Sequence, residues 1–179
     1  GLTSIRFALE GDWEKAVFAI LVAAAFDTID GLSARIFGAS SRFGAELDSL
    51  ADVISFGVAP AIVIYLWIRE PLLKTNSEFL LEWYWIPMLA YTTCSALRLA
   101  RFNVSHGEEI EVKGDKNYLV GVPAPAAAGL ASMPMGLEFI LNRFEAGISI
   151  SGFAVWILCW IVAVSVLTIS QVPTFSFRN

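Results

Sequence analysis

Asp27-Thr28-Ile29-Asp30-Gly31-Leu32-Ser33-Ala34-Arg35, followed by Gly44-Ala45-Glu46-Leu47-Asp48-Ser49-Leu50-Ala51-Asp52, sets four aspartates where one apolar run ends and the next begins. Asp27 and Asp30 are three residues apart, and Asp48 and Asp52 are four apart. At those spacings each pair shares one face of a helix. A short turn around residues 38–41 would fold the chain back, so that the two carboxylate pairs face each other across an antiparallel helix pair.

The sequence around this stretch is that of a membrane protein. Of 179 residues, 56% are hydrophobic and only 16% charged, with a mean hydropathy of +0.65. Soluble domains are less apolar and more charged. The apolar residues fall in runs over 16–26, 50–67, 83–99, 118–141 and 148–169. The first continues in helical pattern through Asp27 towards Ile36; the second is interrupted by Asp52; the fourth carries Pro123, Pro125 and Pro134. A helix of about 20 such residues spans a bilayer. The expected fold is therefore all-α, a polytopic transmembrane bundle with five complete helices and short polar loops, forming one domain over residues 1–179. The segment before residue 15 reads as a helix end and a turn broken at Gly11-Asp12. Gly1 is not an initiating methionine and no signal-peptide pattern follows, so the sequence is expected to start inside a longer protein, after an upstream helix. Trp67, Trp83, Tyr84 and Trp85 stand at run ends, where interfacial aromatics belong.

Several function classes are disfavoured. A net charge of -5 offers no nucleic-acid surface. One histidine, His106, and two cysteines, Cys94 and Cys159, make no zinc site. Both cysteines lie in apolar runs and are expected to be buried thiols facing lipid or protein, behaving as small hydrophobes. His106, beside Gly107 and the acids Glu108, Glu109 and Glu111, reads as a solvated loop, or as a lid. With five spans, one side carries Arg35, Arg42, Arg98, Arg101, Lys113, Lys116 and Arg178, and the other Arg6, Lys15, Arg69, Lys74 and Arg143. The positive-inside rule puts the first group, and with it the aspartates, in the cytoplasm.

Acids at membrane depth need compensation. Each costs roughly 2.5–3.5 kcal/mol to insert, and four together repel. Arg35 alone is too little. Two divalent cations would balance four carboxylates, and an all-oxygen ligand set suits Mg²⁺ or Mn²⁺. Paired ions clamp phosphates and stabilise attacking and leaving oxygens. Gly31 and Gly44 leave the backbone open to a nucleotide, Ala34 keeps the surface small, and Arg35 can bind a phosphate or hold a carboxylate. The plainer readings are close helix packing for Gly31, Ala34 and Gly44, a solvated charge for Glu46, and an ion pathway or proton relay for the four aspartates.

The pattern D-x2-D-G-x2-A-R-x8-G-x3-D-x3-D, with every fixed position filled, resembles the signature of the CDP-alcohol phosphatidyltransferase family. At average residue frequencies a chance match at a given start is on the order of 10⁻¹⁰. The resemblance implies six transmembrane helices, of which those here are the second to sixth, and usually a homodimer, with the active site at the cytoplasmic edge of the cell (inner) membrane. It implies that Asp27, Asp30, Asp48 and Asp52 bind metal, that Asp52 is also the general base, and that Gly31, Ala34, Arg35 and Gly44 bind the CDP moiety. Three further segments resemble the serine-accepting branch of that family: residues 48–60, Ala96-Leu97-Arg98-Leu99-Ala100-Arg101-Phe102-Asn103, and Val120-Gly121-Val122-Pro123-Ala124-Pro125. The implied substrates are CDP-diacylglycerol and L-serine. Arg98, Arg101 and Asn103 lie at a helix end near the depth of the aspartates, where guanidinium groups could hold the acceptor carboxylate or the diphosphate; the plainer reading is anchoring of that helix end. Pro123 and Pro125 are expected to kink or start a helix. Three rivals stay open: a sibling enzyme using glycerol 3-phosphate or inositol phosphate, a cation transporter, and a non-catalytic scaffold.

Overall fold

The structure, a computed structural model, describes residues 1–37, 42–74, 78–107, 118–120, 122–144, 153–170 and 173–175. These form eight α-helices, one π-helical segment and a pair of three-residue strands. The elements are α1 (Leu2–Leu9), α2 (Trp13–Phe37), α3 (Arg42–Asp52), the π segment (Val53–Val58), α4 (Ala59–Lys74), α5 (Glu78–Trp83), α6 (Trp85–Gly107), β1 (Tyr118–Val120), α7 (Ala124–Arg143), α8 (Ala154–Ile169) and β2 (Pro173–Phe175).

The break at Gly11-Asp12 is a Schellman motif. Gly11 takes φ +80°, the Gly11 amide donates to the Ala8 carbonyl at 3.1 Å, and the Asp12 amide donates to the Phe7 carbonyl at 2.9 Å. The left-handed residue satisfies carbonyls that the end of α1 would leave free. Among the described residues two helices are long and apolar enough to cross a membrane, Glu46–Leu73 and Ala124–Arg143, while Ala154–Ile169 is apolar but shorter. The outer faces agree: Phe18, Phe26, Leu89, Trp156, Val162 and Val166 are all exposed. Soluble monomers rarely present so much contiguous apolar surface.

The α3–π–α4 rod runs through the middle of the molecule. Its buried row, Phe56, Ile64, Ile68 and Leu72, meets Ile20 of α2, Tyr91 of α6, Met135 of α7 and Ile161 and Val164 of α8 in one core. The α7 residues Ala127, Ala128 and Ala131 are buried, on a helix that packs against α2, α8 and the π segment; small side chains let helix backbones approach. Proline leaves its mark on α7 as well. Pro134 has no amide hydrogen to give the Leu130 carbonyl one turn back, and Trp160 Nε1 of α8 donates to that carbonyl at 2.8 Å.

Several sequence expectations are revised. The run over 118–141 is not one helix: Tyr118–Val120 pairs antiparallel with Pro173–Phe175, and α7 begins only at Ala124, after the extended Pro123 (φ -53°, ψ 145°). A proline fits the start of a helix but holds the residue before it extended. Trp67 and Tyr84 are core residues, 5% and 4% exposed. Because α4 continues past Pro71 to Lys74, Trp67 is not at a helix end. Tyr84 stacks on Tyr65 with ring centroids 4.6 Å apart. Trp83 and Trp85 do face outward. Cys94 is half-buried and Cys159 is exposed on α8. His106 belongs to the last turn of α6 rather than to a loop. The turn at 38–41, the acids Glu108, Glu109 and Glu111, and the start of the fifth run at Ile148 lie outside the described residues.

Candidate metal and phosphate site

Three of the four carboxylates converge, and Asp30, expected beside Asp27, stands outside the group. Asp27 projects from α2, and Asp48 and Asp52 project from consecutive turns of α3. One carboxylate oxygen from each lies within 4.8 Å of the other two. Asp27 and Asp52 are half-buried and Asp48 is exposed, so the group sits at the edge of the bundle, with one side open. The Asp27 and Asp52 carboxyls stand within hydrogen-bonding reach of each other. Asp30, one turn further along α2 and exposed, is not in the 4.8 Å group but acts on Asp48 through its charge. Glu46 is exposed on α3 and is not part of the group.

Carboxylates this close repel one another unless a cation or a shared proton stands between them. At 4.8 Å two unit charges repel by about 3.5 kcal/mol at an effective dielectric near 20, and by about 1 kcal/mol in bulk water. The donor set is oxygen only, on two rigid helices, with an open side for further ligands. That suits a hard divalent ion that keeps water or phosphate in its shell, and the residues present fit such an ion.

Among the described residues a positive partner is Arg98 of α6. Its guanidinium is close enough to Asp52 for a direct electrostatic interaction, and its buried Nε has no hydrogen-bond partner among the described residues. Of the other two candidates on this helix, Arg101 donates from Nη1 to the Ile169 carbonyl at 3.3 Å, which ties the C-terminal ends of α6 and α8 together. Asn103 reaches Ser49, with Nδ2–Oγ at 3.1 Å and Oγ–Oδ1 at 3.2 Å. Ser49 immediately follows Asp48, so this pair fixes α6 against the acidic helix. Gly44 is exposed on α3, one turn before Asp48. Gly31, Ala34 and Arg35 lie on the last turns of α2; their side-chain surroundings lie outside the described residues.

Sequence reasoning missed Ser49, whose partner lies 54 residues away. It also missed the π segment, which starts at the residue after Asp52. The signal for the second was Pro60, which removes an amide hydrogen from an apolar run.

Comparison with known proteins adds the following. The family model described as CDP-alcohol phosphatidyltransferase matches residues 2–168. The chain is 43% identical over 174 residues to the CDP-diacylglycerol–serine O-phosphatidyltransferase of Mycobacterium leprae, covering 97% of this chain and 53% of that protein. It is 40% identical over 176 residues to the protein of the same name from Mycobacterium tuberculosis, covering 97% and 56%. It is 37% identical over 177 residues to the archaetidylserine synthase of Methanothermobacter thermautotrophicus, covering 96% and 63%. The chain thus spans about half the length of the curated mycobacterial relatives it matches.

Proposed function

Since this chain belongs to the CDP-alcohol phosphatidyltransferase family, we propose that the complete protein transfers the phosphatidyl group of CDP-diacylglycerol to L-serine, giving phosphatidylserine and CMP. The observation that carries the reading is the meeting of Asp27, Asp48 and Asp52 within 4.8 Å, with Arg98 beside Asp52. The names of the relatives support serine as acceptor, since both CDP-diacylglycerol–serine O-phosphatidyltransferase and archaetidylserine synthase contain it. Those names differ in the lipid and share the acceptor.

In this reading Asp27, Asp48 and Asp52, with Asp30 alongside, hold two Mg²⁺ or Mn²⁺ ions. Bound there, the ions would supply charge neutralisation for a diphosphate and its leaving group. Gly31, Ala34 and Gly44 receive the cytidine end of the donor against a surface free of bulk, and Arg35 binds phosphate. Arg98 offers its unpartnered Nε to a phosphate or to the serine carboxylate. Asn103 supports that group through its hold on Ser49, and Arg101, committed to the Ile169 carbonyl, anchors the end of α6 beside it. Asp52 accepts the proton of the serine hydroxyl. The hydroxyl oxygen bonds to the phosphorus that carries diacylglycerol, and the bond from that phosphorus to the CMP oxygen breaks. The acyl chains stay in lipid against the apolar outer faces, and most of the rate comes from positioning and charge.

The same proposal takes residues 1–179 as one membrane domain of five spans, α2, α3 to α4, α6, α7 and α8, with the site at the cytoplasmic edge of the cell membrane and two copies pairing. The hydrogen bond from Arg101 to Ile169 supports the topology, because α6 and α8 pack on each other and meet at their C-terminal ends, as parallel helices do. CMP release from CDP-diacylglycerol by the purified complete protein in mixed micelles tests the function. Release that needs both serine and a divalent ion supports it; release indifferent to both overturns it.

A further inference from the structure

Pro60 lies in the apolar stretch Glu46–Leu73, four residues after Phe56. In an unbroken α-helix the Phe56 carbonyl would accept from the amide of residue 60. Proline has no such hydrogen, and its ring would collide with that carbonyl. The chain instead widens into the π segment Val53–Val58, where the Ala59 amide reaches back five residues to the Ile54 carbonyl. Short π segments inside α-helices recur at functional sites. The Phe56 carbonyl is taken by the Tyr91 hydroxyl of α6, which donates to it at 2.7 Å. Tyr91 is fully buried and Phe56 is 2% exposed, so water cannot replace this bond.

The neighbouring contacts hold α6 against the same segment. Thr92 donates to the Gly57 carbonyl at 3.4 Å as well as to Met88 of its own helix at 3.0 Å. A Cβ on Gly57 would come within 3.3 Å of the Ser95 Cβ, so the glycine permits the close approach. The π segment continues directly from α3, which carries Asp48 and Asp52, and packs against α2, which carries Asp27, and against α6. Arg98, seven residues after Tyr91, falls on the same face of α6. One helix face therefore grips the widened backbone and presents the cation beside Asp52.

We propose that Tyr91 is a positioning residue: its bond to the Phe56 carbonyl holds the π segment open and so fixes Asp52 against Asp27 and Asp48 in a geometry that binds a divalent ion. This rests on the metal-dependent function proposed above. Tyr91→Phe removes the donor. Tyr91→Phe combined with Pro60→Ala gives the Phe56 carbonyl an amide partner again, now in α register, so the double variant regains stability without regaining the π segment.

The test compares the wild type, Tyr91→Phe, Pro60→Ala and the double variant of the complete protein in detergent micelles. Thermal midpoints are read with and without Mn²⁺, alongside kcat and the serine KM. Pro60→Ala alone is expected to match the wild type, because Tyr91 still holds the carbonyl. Tyr91→Phe is expected to lower the midpoint, to lose most of the Mn²⁺-induced rise, and to lose roughly 10- to 100-fold in kcat, as a misplaced group does, with an unchanged serine KM. The double variant should recover the metal-free midpoint but neither the Mn²⁺ response nor kcat. Recovery of all three would overturn the proposal, since Tyr91 would then only satisfy a stranded carbonyl; so would a Tyr91→Phe protein with the wild-type Mn²⁺ response. If Tyr91→Phe does not fold, the double variant alone decides by the same criteria. A wild type that turns over no serine but is stabilised by Mn²⁺ would count against the assigned function and leave the Mn²⁺ comparison to judge Tyr91.

Discussion

Replacing Asp48 by asparagine tests the acidic group without relying on turnover. Asp48, Asp27 and Asp52 lie within 4.8 Å of one another, and the substitution removes two of the three pairwise repulsions. At that distance each is about 3.5 kcal/mol at an effective dielectric near 20 and about 1 kcal/mol in water. Asp48 is exposed, so solvent screening favours the lower figure, for a relief of roughly 2 kcal/mol in the absence of metal. At about 2–4 °C per kcal/mol for a chain of this size, the midpoint in EDTA should rise by at least roughly 4 °C. With Mn²⁺ present the order should reverse, because the wild type gains an ion that the variant has lost a ligand for. Tryptophan fluorescence during heating, in EDTA and in Mn²⁺, reads both effects. If Asp48→Asn lowers the midpoint equally in both conditions, the carboxylate is a structural group and the metal-site reasoning fails.

Asp52→Asn should cut kcat by roughly 100- to 10,000-fold, the usual share of a general base, while the protein remains folded; steady-state CMP release checks it, and near-normal turnover would remove Asp52 from the mechanism. Arg98→Ala should depress kcat/KM more than Arg101→Ala, because Arg98 faces Asp52 whereas Arg101 is occupied at the Ile169 carbonyl; equal losses with a selective rise in serine KM for Arg101→Ala would instead put the acceptor at Arg101. Trp160→Phe should destabilise by about 1–3 kcal/mol, the cost of stranding the Leu130 carbonyl, and Pro134→Ala in the same chain should recover much of it; thermal midpoints of the two variants decide.

What could be read from sequence was what depends on local period. The three- and four-residue spacings of the aspartates are helical spacings, and α2 and α3 bring Asp27, Asp48 and Asp52 together accordingly. Gly11 marked its turn because only a residue at ease with positive φ fits there. Features set by a distant partner were not legible. Nothing near Asn103 announces Ser49, and nothing near Tyr91 announces the Phe56 carbonyl. Trp67 and Tyr84 looked interfacial because an apolar run seemed to stop beside each, yet α4 carries on to Lys74 and buries both rings. Residues 118–120 were absorbed into a helix by hydropathy alone, although the proline at 123 already argued for an extended chain before α7. Pro60 carried the most information, and hydropathy is blind to a missing amide hydrogen.

Divalent-ion-dependent transfer to serine is the activity proposed for this site. The most direct measurement supplies the complete protein in lipid–detergent micelles with CDP-diacylglycerol, Mn²⁺ or Mg²⁺, and radiolabelled L-serine, glycerol 3-phosphate or inositol phosphate in parallel, and follows CMP and labelled lipid. Label is expected in lipid from serine alone, matched one to one by CMP and abolished by EDTA. Label from another acceptor, or transfer from serine that persists in EDTA, would contradict it.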